Sequence, residues 1–572
     1  MKNKIFFKIG FIATLFFFSG CETLDLDQLE DPSTASQSEL DPVYAFNYVQ
    51  LQLADFVDSS NRFTQAVTRQ MAMTGGDSYD NAFAPVNFNN NWTIAYDILN
   101  TVKVMEPKSI ENKEFLALGA AKVIRCYVLM TLVDMYGNVP LTEALLGGEN
   151  LNPKYDSGSS VYKQVLLDLD DAIVVLGKTS NSDSKVQDLY YKKSISSWIT
   201  LAKTLKLKMY NTARLAGSDI GVSNIGAEMN AILSAGDYID TKAEDFAFQY
   251  GSNRDVPNSR HPLYNDQYEL GGGAYIANYF MWALTIEKGI NSNEVVDPRT
   301  AFYFFKQTAN PASEDTFTIP GRTRPDHYND AQYYSFFDSA IRTPYTVSNW
   351  FSGSAVASSG YLGRDHGNNS GIPPDATLRT VAGLYPVGGA YGSTAASVQT
   401  SGIAGALGAG IMPMVLSSYV HFIKAEAILE AGVSGDAKAE LLAGISASID
   451  KVTTPVNDYP ILSASDIAAI ATKKTDYLTF ISDFYDTLSP SKKLELIIKE
   501  YYIAAWGNGI EPYNNYRRTG FPSNFQPTLE PVSGAFYYSA LYSADSASNN
   551  PNTPSNVRTR KVFWDKAGIV LH

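Results

Sequence analysis

Apolar residues recur at helical spacing from Pro42 to about residue 238. The pattern predicts amphipathic helices over 43–57, 62–74, 92–106, 113–136, 160–176 and 194–216. In the clearest of these, Ala121, Ile124 and Val128 follow one another at steps of three and four and therefore share one face. From Tyr127 to Met135 the segment is apolar nearly all round, which predicts burial on several sides.

The pattern changes near residue 238. From 238 to 414 the chain is rich in Gly, Ser, Asn, Pro and Tyr, and only 275–289 predicts a helix. Helical spacing returns over 415–431, 435–451, 465–484 and 490–506. The last of these has Ser489 as a candidate N-cap, Pro490 in its first turn and Gly507 beyond its end.

These elements predict a predominantly all-α protein. Helix pairs in series favour a tetratricopeptide-like helical-repeat scaffold, although no strict repeat consensus is present. We expect a single domain over 43–572, with helical blocks at about 43–237 and 415–520 and a large irregular, loop-rich insert at about 238–414. The C-terminal block is expected to pack back on the N-terminal block.

The N-terminus has the pattern of a secretory signal. Three lysines precede an apolar run at 9–18, and Ser-Gly-Cys follows, with the cysteine at position 21. The run is too short to span a bilayer, which takes about 20 apolar residues. A cysteine directly after Ser-Gly is typical of a lipobox, so we expect residues 1–20 to be a lipoprotein signal peptide and Cys21 to carry the lipid. An ordinary signal peptide with a chance cysteine is the alternative.

An acidic stretch without periodicity, 21–42, is then expected to be the lipidated tether. No second apolar stretch is expected to span, so the mature protein should be anchored to a membrane by lipid without crossing it. Cleavage removes three lysines and no acid, which takes the formal charge from −14 to −17. Such a chain is not expected to bind nucleic acid. The remaining cysteine, Cys126, has no partner, so a disulfide framework is excluded.

The search for catalytic motifs disfavours an enzyme. Gly76–Tyr79 resembles the Gly-Asp-Ser start of one class of esterases, but the Asp-x-x-His that would supply their base does not occur. Neither a Gly-x-Ser-x-Gly elbow nor a His-Glu-x-x-His pair is present. His421 is expected to be a structural histidine in a helix. Carboxylate pairs that meet only in space remain open. No cofactor is expected beyond the lipid on Cys21. A structural calcium ion is left open, because Asp- and Asn-containing loops could hold one, although no EF-hand spacing occurs.

Several segments together resemble one known family. They are Gly119–Lys122, Asp134–Pro140, Ser197–Tyr210, Asp297–Arg299, Tyr419–Ala427, Glu500–Gly507, Gly509–Tyr513 and Tyr516–Gly520. In this order, and with the lipobox, they resemble the SusD/RagB family of outer-membrane lipoproteins over most of the chain. The chain departs from the family at its end, where Arg560–Trp564 stands in place of an Arg-x-x-Tyr-Pro segment.

The resemblance implies a helical lipoprotein on the outer membrane of a Gram-negative bacterium. Such proteins capture oligosaccharides, or oligopeptides in some members, and deliver them to a SusC-like TonB-dependent transporter. A scaffold that binds only protein partners is the remaining alternative.

Ligand capture is expected on irregular segments. Trp92 follows three asparagines, and Trp350 follows Ser348 and Asn349 inside the insert. A ring beside amides and carboxylates suits a sugar, because the ring covers its apolar face and polar groups bind its hydroxyls. The resembled family also uses the loop after the early helices, which adds Asp77 and Tyr79. The predicted ligand-binding residues are therefore Asp77, Tyr79, Trp92 and Trp350, whereas Trp198, Trp282 and Trp506 are predicted core residues.

Overall fold

The computed structural model describes residues 41–72, 83–181, 184–272, 274–285, 287–288, 297–307, 335–337, 363, 366, 379–392, 402–453, 462, 464–526 and 536–571. The twelve helices of eight residues or more in this part of the chain are α1 (Pro42–Val67), α2 (Asn89–Glu111), α3 (Phe115–Tyr136), α4 (Gly158–Leu176), α5 (Ile195–Thr212), α6 (Ile225–Ala235), α7 (Asn278–Thr285), α8 (Ser417–Glu430), α9 (Ala437–Thr453), α10 (Ala464–Asp486), α11 (Pro490–Ala504) and α12 (Ile510–Thr519). The predicted all-α class is confirmed.

Shorter elements complete the described fold. Short helical turns span Pro85–Phe88, Gly147–Glu149, Arg214–Ile220, Lys242–Glu244, Pro262–Tyr264, Asn265–Glu269, Thr300–Tyr303 and Ala544–Asn549. Four strands are β1 (Phe246–Gln249), β2 (Phe304–Lys306), β3 (Thr380–Ala382) and β4 (Ile411–Val415).

Helix α1 is longer than its sequence pattern indicated. The two helices predicted at 43–57 and 62–74 are one continuous helix in the structure, and this part of the prediction was wrong. The linking residues contain neither Gly nor Pro, and Ser60 donates its hydroxyl to the carbonyl of Phe56 within the helix. The Asp41 side chain caps the N-terminus by accepting from Val43 N at 2.8 Å. The helix ends before Arg69, whose φ is +59°.

Helix α3 is the one described helix that is long and apolar enough to cross a membrane. The expectation that no second stretch meets those criteria was therefore wrong. In the most apolar 18-residue window of α3, 83% of the residues are buried inside the protein. The all-round apolar pattern from Tyr127 to Met135 thus reflects burial in the core, as the sequence predicted.

The described parts of the insert contain strands that the sequence pattern did not predict. Strands β1 and β4 pair antiparallel, with Phe246 opposite Val415 and Gln249 opposite Ile411, so the two ends of the insert meet. Strands β2 and β3 form a second antiparallel pair. The helix predicted at 275–289 is shorter, spanning Asn278–Thr285.

The helices pack in two series that contact each other. Helices α1 to α6 each contact the next in the chain, and α8, α9, α10 and α11 form a second packed group. Helix α12 packs on α1, and α8 packs on α5. Ser489 occupies the N-cap position of α11 and Pro490 its first turn, as predicted. The C-terminal helices therefore pack back on the N-terminal ones.

A buried charge network fastens the insert to the C-terminal helices. Arg299 binds Asp297 through Nε at 2.9 Å and Nη2 at 2.7 Å, and it reaches Glu500 of α11 at 2.8 Å. Tyr477 of α10 donates to the same glutamate at 2.6 Å. Lys288 adds a further positive charge 3.2 Å from Asp297.

A second network joins both helical series around the Arg-Arg pair of α12. Arg518 binds both carboxylate oxygens of Glu426 in α8, at 2.8 and 2.6 Å. Arg517 donates to backbone carbonyls, including that of Asp134 at the end of α3. The Asp134 carboxylate accepts from Asn514 at 2.8 Å. Asp134 and the Arg-Arg pair, which belong to conspicuous sequence motifs, therefore have a structural role in the core.

Candidate functional site

The structure describes one of the four predicted ligand-binding residues. Trp92 lies near the start of α2. Asp77 and Tyr79 fall in 73–82, and Trp350 falls in the insert, so all three lie outside the described residues.

Trp92 belongs to a cluster of five rings, here called the aromatic cluster. Its ring centroid lies 5.1 Å from Tyr96, 5.2 Å from Tyr136, 5.9 Å from Tyr542 and 6.1 Å from Tyr155. The cluster joins α2, the end of α3, the loop before α4 and the C-terminal region. Trp92, Tyr96 and Tyr155 are half-buried and pack against the core.

Hydrogen bonds fix the tyrosines of this cluster. Tyr96 donates to the carbonyl of Pro140 at 2.9 Å, and Tyr542 donates to the carbonyl of Asn138 at 2.9 Å. Since Gly137–Pro140 follows α3, the turn after α3 positions two of the rings. Fixed, partly exposed rings can stack on the apolar face of a sugar at low entropic cost.

A cavity of about 390 Å³, here called the α1 cavity, lies beside the second half of α1. Its walls are formed by Asp58, Asn61, Arg62, Gln65, Met71, Ala72, His261, Pro262, Leu263, Asp266, Ala274, Pro386, Val387, Met412, Trp506 and Gly507. Most of these side chains are apolar, with a few polar groups among them. This combination is typical of small-molecule sites, which range over about 300–1,000 Å³.

Two buried polar side chains in this wall have hydrogen-bonding atoms that no described residue pairs with. Gln65 is 9% exposed, and its side-chain amide makes no hydrogen bond to any described residue. His261 is 5% exposed and uses only Nδ1, which accepts from Leu263 N at 3.1 Å. Asn61 is different, since its amide is bound by Gly507 O at 2.8 Å and Gly509 N at 2.9 Å.

The protonation of His261 follows from this geometry. Burial lowers the pKa of His261 to about 3, so the ring is neutral at physiological pH. Because Nδ1 accepts a hydrogen bond, the proton of the neutral ring resides on Nε2. The cavity wall therefore holds a free Nε2–H donor from His261 and a free amide from Gln65.

Three charged side chains, those of Asp58, Arg62 and Asp266, also line the α1 cavity. Arg62 is 75% exposed and stands 3.5 Å from Asp58, so the cavity meets solvent beside this pair. Burial raises the pKa of Asp58, with the Arg62 guanidinium opposing the shift. Asp266 adds a second carboxylate.

The two candidate surfaces are linked along the chain. Ala72 lies in the cavity wall, and Phe83 packs on Phe63 with ring centroids 5.2 Å apart. Phe63 also contacts Phe88, next to the start of α2. Asp77 and Tyr79 thus belong to the ten residues that connect the wall of the α1 cavity to the neighbourhood of the aromatic cluster.

Sequence reasoning missed the α1 cavity. Its lining comes from five separate stretches of chain, which no local pattern brings together. Trp506 is buried as predicted, at 1% exposure, yet it also forms part of the cavity wall. Trp198 and Trp282 are buried in the core as predicted. Within the described residues, no group of three or more His, Cys, Asp or Glu side chains is placed to hold a metal ion.

Comparison with known families gives two matches. Residues 34–336 match a SusD-like family model described as starch-binding and associating with the outer membrane. Residues 409–546 match a model described as SusD and RagB outer-membrane lipoprotein. No curated protein matches the sequence.

Solved structures share the fold over nearly the whole chain. A chitin-binding protein is 18% identical with a TM-score of 0.62, and the match covers 92% of this chain and 100% of that one. A chitin-binding SusD homolog from Flavobacterium johnsoniae is 16% identical with a TM-score of 0.61, covering 92% and 99%. A SusD homolog from Bacteroides uniformis is 16% identical with a TM-score of 0.60, covering 91% and 99%.

Proposed function

This chain belongs to the SusD-like family of outer-membrane lipoproteins, and on that premise we propose that it captures oligosaccharides and delivers them to a SusC-like TonB-dependent transporter. The family match over 34–336 and 409–546 is the observation that carries the proposal. The protein would face the cell exterior, held by lipid on Cys21.

The aromatic cluster supports a saccharide as the ligand. Trp92, Tyr96 and Tyr155 are half-buried aromatic residues held close together, and a ring in a fixed position suits stacking on a sugar. The starch-binding description of the family and the chitin-binding structural relatives favour the same class of ligand. We place the ligand site at Trp92 together with Asp77, Tyr79 and Trp350.

Capture without turnover follows from this function. A transport partner needs the ligand intact, so a bound oligosaccharide should be recovered with unchanged length after long incubation. Shortened oligosaccharides produced by homogeneous protein would contradict the proposal. If the shortening activity disappears on further purification, a contaminating enzyme is its source.

Purification from native membranes tests the partnership. Tagged protein extracted in mild detergent should retain a TonB-dependent barrel in a constant ratio. Repeated recovery of the protein alone would count against delivery to a transporter. A Cys21→Ser variant is the matched control, because it separates membrane anchoring from retention of the barrel.

A further inference from the structure

The α1 cavity contains unmet hydrogen-bonding capacity of a defined kind. The Gln65 amide offers one acceptor oxygen and an NH₂ donor, and His261 offers an Nε2–H donor. Both side chains are more than nine-tenths buried. Water can pair with these groups in the open cavity, so a ligand group that replaces it gains only the modest net free energy of each hydrogen bond.

The remaining walls favour an apolar group beside that pairing. Met71, Leu263, Val387 and Met412 line the same cavity. The unpaired groups inside are neutral, since His261 is held uncharged by burial and Gln65 carries no charge. Of the three charged side chains that line the cavity, Arg62 is exposed and offsets the charge of Asp58, 3.5 Å away. A neutral group with one donor, one acceptor and a small apolar end therefore fits best.

We infer that the α1 cavity is a subsite for the acetamido group of an N-acetylated amino sugar at the end of a captured glycan. The acetamido N–H would donate to Gln65 Oε1, its carbonyl would accept from Gln65 or His261, and its methyl group would contact the apolar wall. The inference rests on the proposed function and names the ligand class more narrowly. In this inference the α1 cavity binds one terminal sugar, and the aromatic cluster stacks on the following sugars of the glycan.

The size of the cavity agrees with this division. At about 390 Å³ it lies near the lower end of the range for small-molecule sites, which suits one terminal sugar residue. Its rim is exposed at Arg62, which lets the rest of a glycan extend into solvent.

Binding of matched disaccharides to the full mature protein tests the assignment. N,N′-diacetylchitobiose should bind at least tenfold more tightly than cellobiose, which has hydroxyls in place of the acetamido groups, and than chitobiose, which has amines. Equal binding of cellobiose would overturn the acetamido assignment. Preference for chitobiose would overturn it in favour of recognition of a cation by the rim carboxylates.

A peptide analogue tests whether the secondary amide that binds belongs to a sugar or to a peptide. N-acetylalanine methylamide has the same acetamido group without the sugar, and tighter binding of it than of the sugar would overturn the glycan assignment. Failure of every saccharide to bind would overturn the proposed function itself. Selective binding of another saccharide, without preference for acetamido groups, would overturn this inference alone.

A variant in the wall locates the site. Gln65→Met keeps the length of the side chain and removes the amide, so affinity for N,N′-diacetylchitobiose should fall about tenfold. Gln50→Met is the control on the same helix, since Gln50 is buried but bound to Gln187 O at 2.8 Å and Leu189 N at 2.7 Å. The control should lower Tm and leave affinity unchanged. An unchanged affinity in folded Gln65→Met would place the sugar elsewhere.

Saturation-transfer NMR on the unmodified protein gives a test that needs no variant. The acetamido methyl protons should receive the strongest saturation, because the methyl group lies against buried side chains. Saturation confined to the sugar ring protons would contradict insertion of the acetamido group.

Discussion

Arg299 and Glu500 lie 201 residues apart in the chain and bind each other at 2.8 Å with both side chains fully buried. The same guanidinium donates two further hydrogen bonds to the Asp297 carboxylate, from Nε and Nη2. One residue of the Gly- and Asn-rich insert is thereby bonded to helix α11. The insert and the C-terminal helices are consequently coupled in stability.

Removal of this arginine should be costly. Arg299→Met leaves Asp297 and Glu500 as buried carboxylates with an unpaired charge, and breaking a buried pair in this way costs about 3–5 kcal/mol. Denaturant unfolding should show that loss in the free energy of unfolding. Arg62→Met is the control, because Arg62 is exposed and 3.5 Å from Asp58, and it should cost less than about 1 kcal/mol. Equal effects of the two variants would contradict the buried network.

Acid should destabilise the fold through Glu426. Burial raises its pKa, but the Arg518 and Arg214 guanidiniums outweigh burial and lower the pKa of Glu426 from 4.5 to about 2. The folded state then binds fewer protons than the unfolded state, so stability is full above pH 4.5 and falls as the pH drops towards 2. Glu426→Gln should be less stable at pH 7 and should lose less stability over that interval. Parallel pH profiles for the variant and the parent protein would refute the role of this carboxylate.

A comparison of alanine variants at two glycines distinguishes the cost of backbone strain from the cost of a steric clash. Gly507 has a φ of +94°, and a Cβ there would lie 2.7 Å from Pro386 Cγ. Gly236 has a φ of +70° and open space around it. Alanine at either position meets backbone strain of about 1–3 kcal/mol, and only Gly507→Ala adds a steric clash. Thermal unfolding should therefore show the larger loss of Tm for Gly507→Ala. A larger loss for Gly236→Ala would contradict the packing at the α1 cavity wall.

Helices were predictable because amphipathic spacing is a local property of the sequence. Ser489 and Pro490 locate the start of α11 correctly for that reason. The strands were not predicted because they have only three to five residues and pair with residues far away in the sequence, as Phe246 does with Val415. The α1 cavity escaped prediction for the same reason, since Gln65 and His261 come from separate parts of the chain.

Several residues of the motifs that carried the family resemblance stabilise the core. Asp134, Arg299 and Arg518 are all buried and hydrogen-bonded to other elements. These three residues hold the fold together, whereas Tyr136 of the Asp134–Pro140 segment belongs to the aromatic cluster and Trp506 of the Glu500–Gly507 segment lines the α1 cavity. Family membership was therefore readable from the sequence, whereas the ligand depends on surfaces formed by side chains from several segments.

Trp92 should contribute to ligand binding. Trp92→Ala removes one partly exposed ring from the aromatic cluster, and loss of a stacked ring should weaken glycan binding about tenfold or more. Trp350→Ala should have an effect of similar size. Tyr44→Ala is a control, because Tyr44 is 73% exposed on α1 outside the cluster. If both tryptophan variants keep their Tm and bind glycan like the parent protein, the ligand site lies elsewhere.

Cys21 should determine localisation. Cys21→Ser removes the thiol that we propose carries the lipid, so the protein should remain uncleaved or become soluble after cell fractionation. Replacement of the buried Cys126 by alanine is the control and should leave localisation unchanged. Complete recovery of Cys21→Ser in the outer membrane would contradict the lipid anchor.

Glycan capture is tested most directly by probing a glycan array with the purified mature protein beside an oligopeptide library of matched size. We expect saturable binding to a related set of oligosaccharides and no comparable binding to peptides. Binding to peptides alone would move the protein to the peptide-capturing members of its family. Folded protein that binds no saccharide and no peptide, yet retains its transporter, would contradict ligand capture.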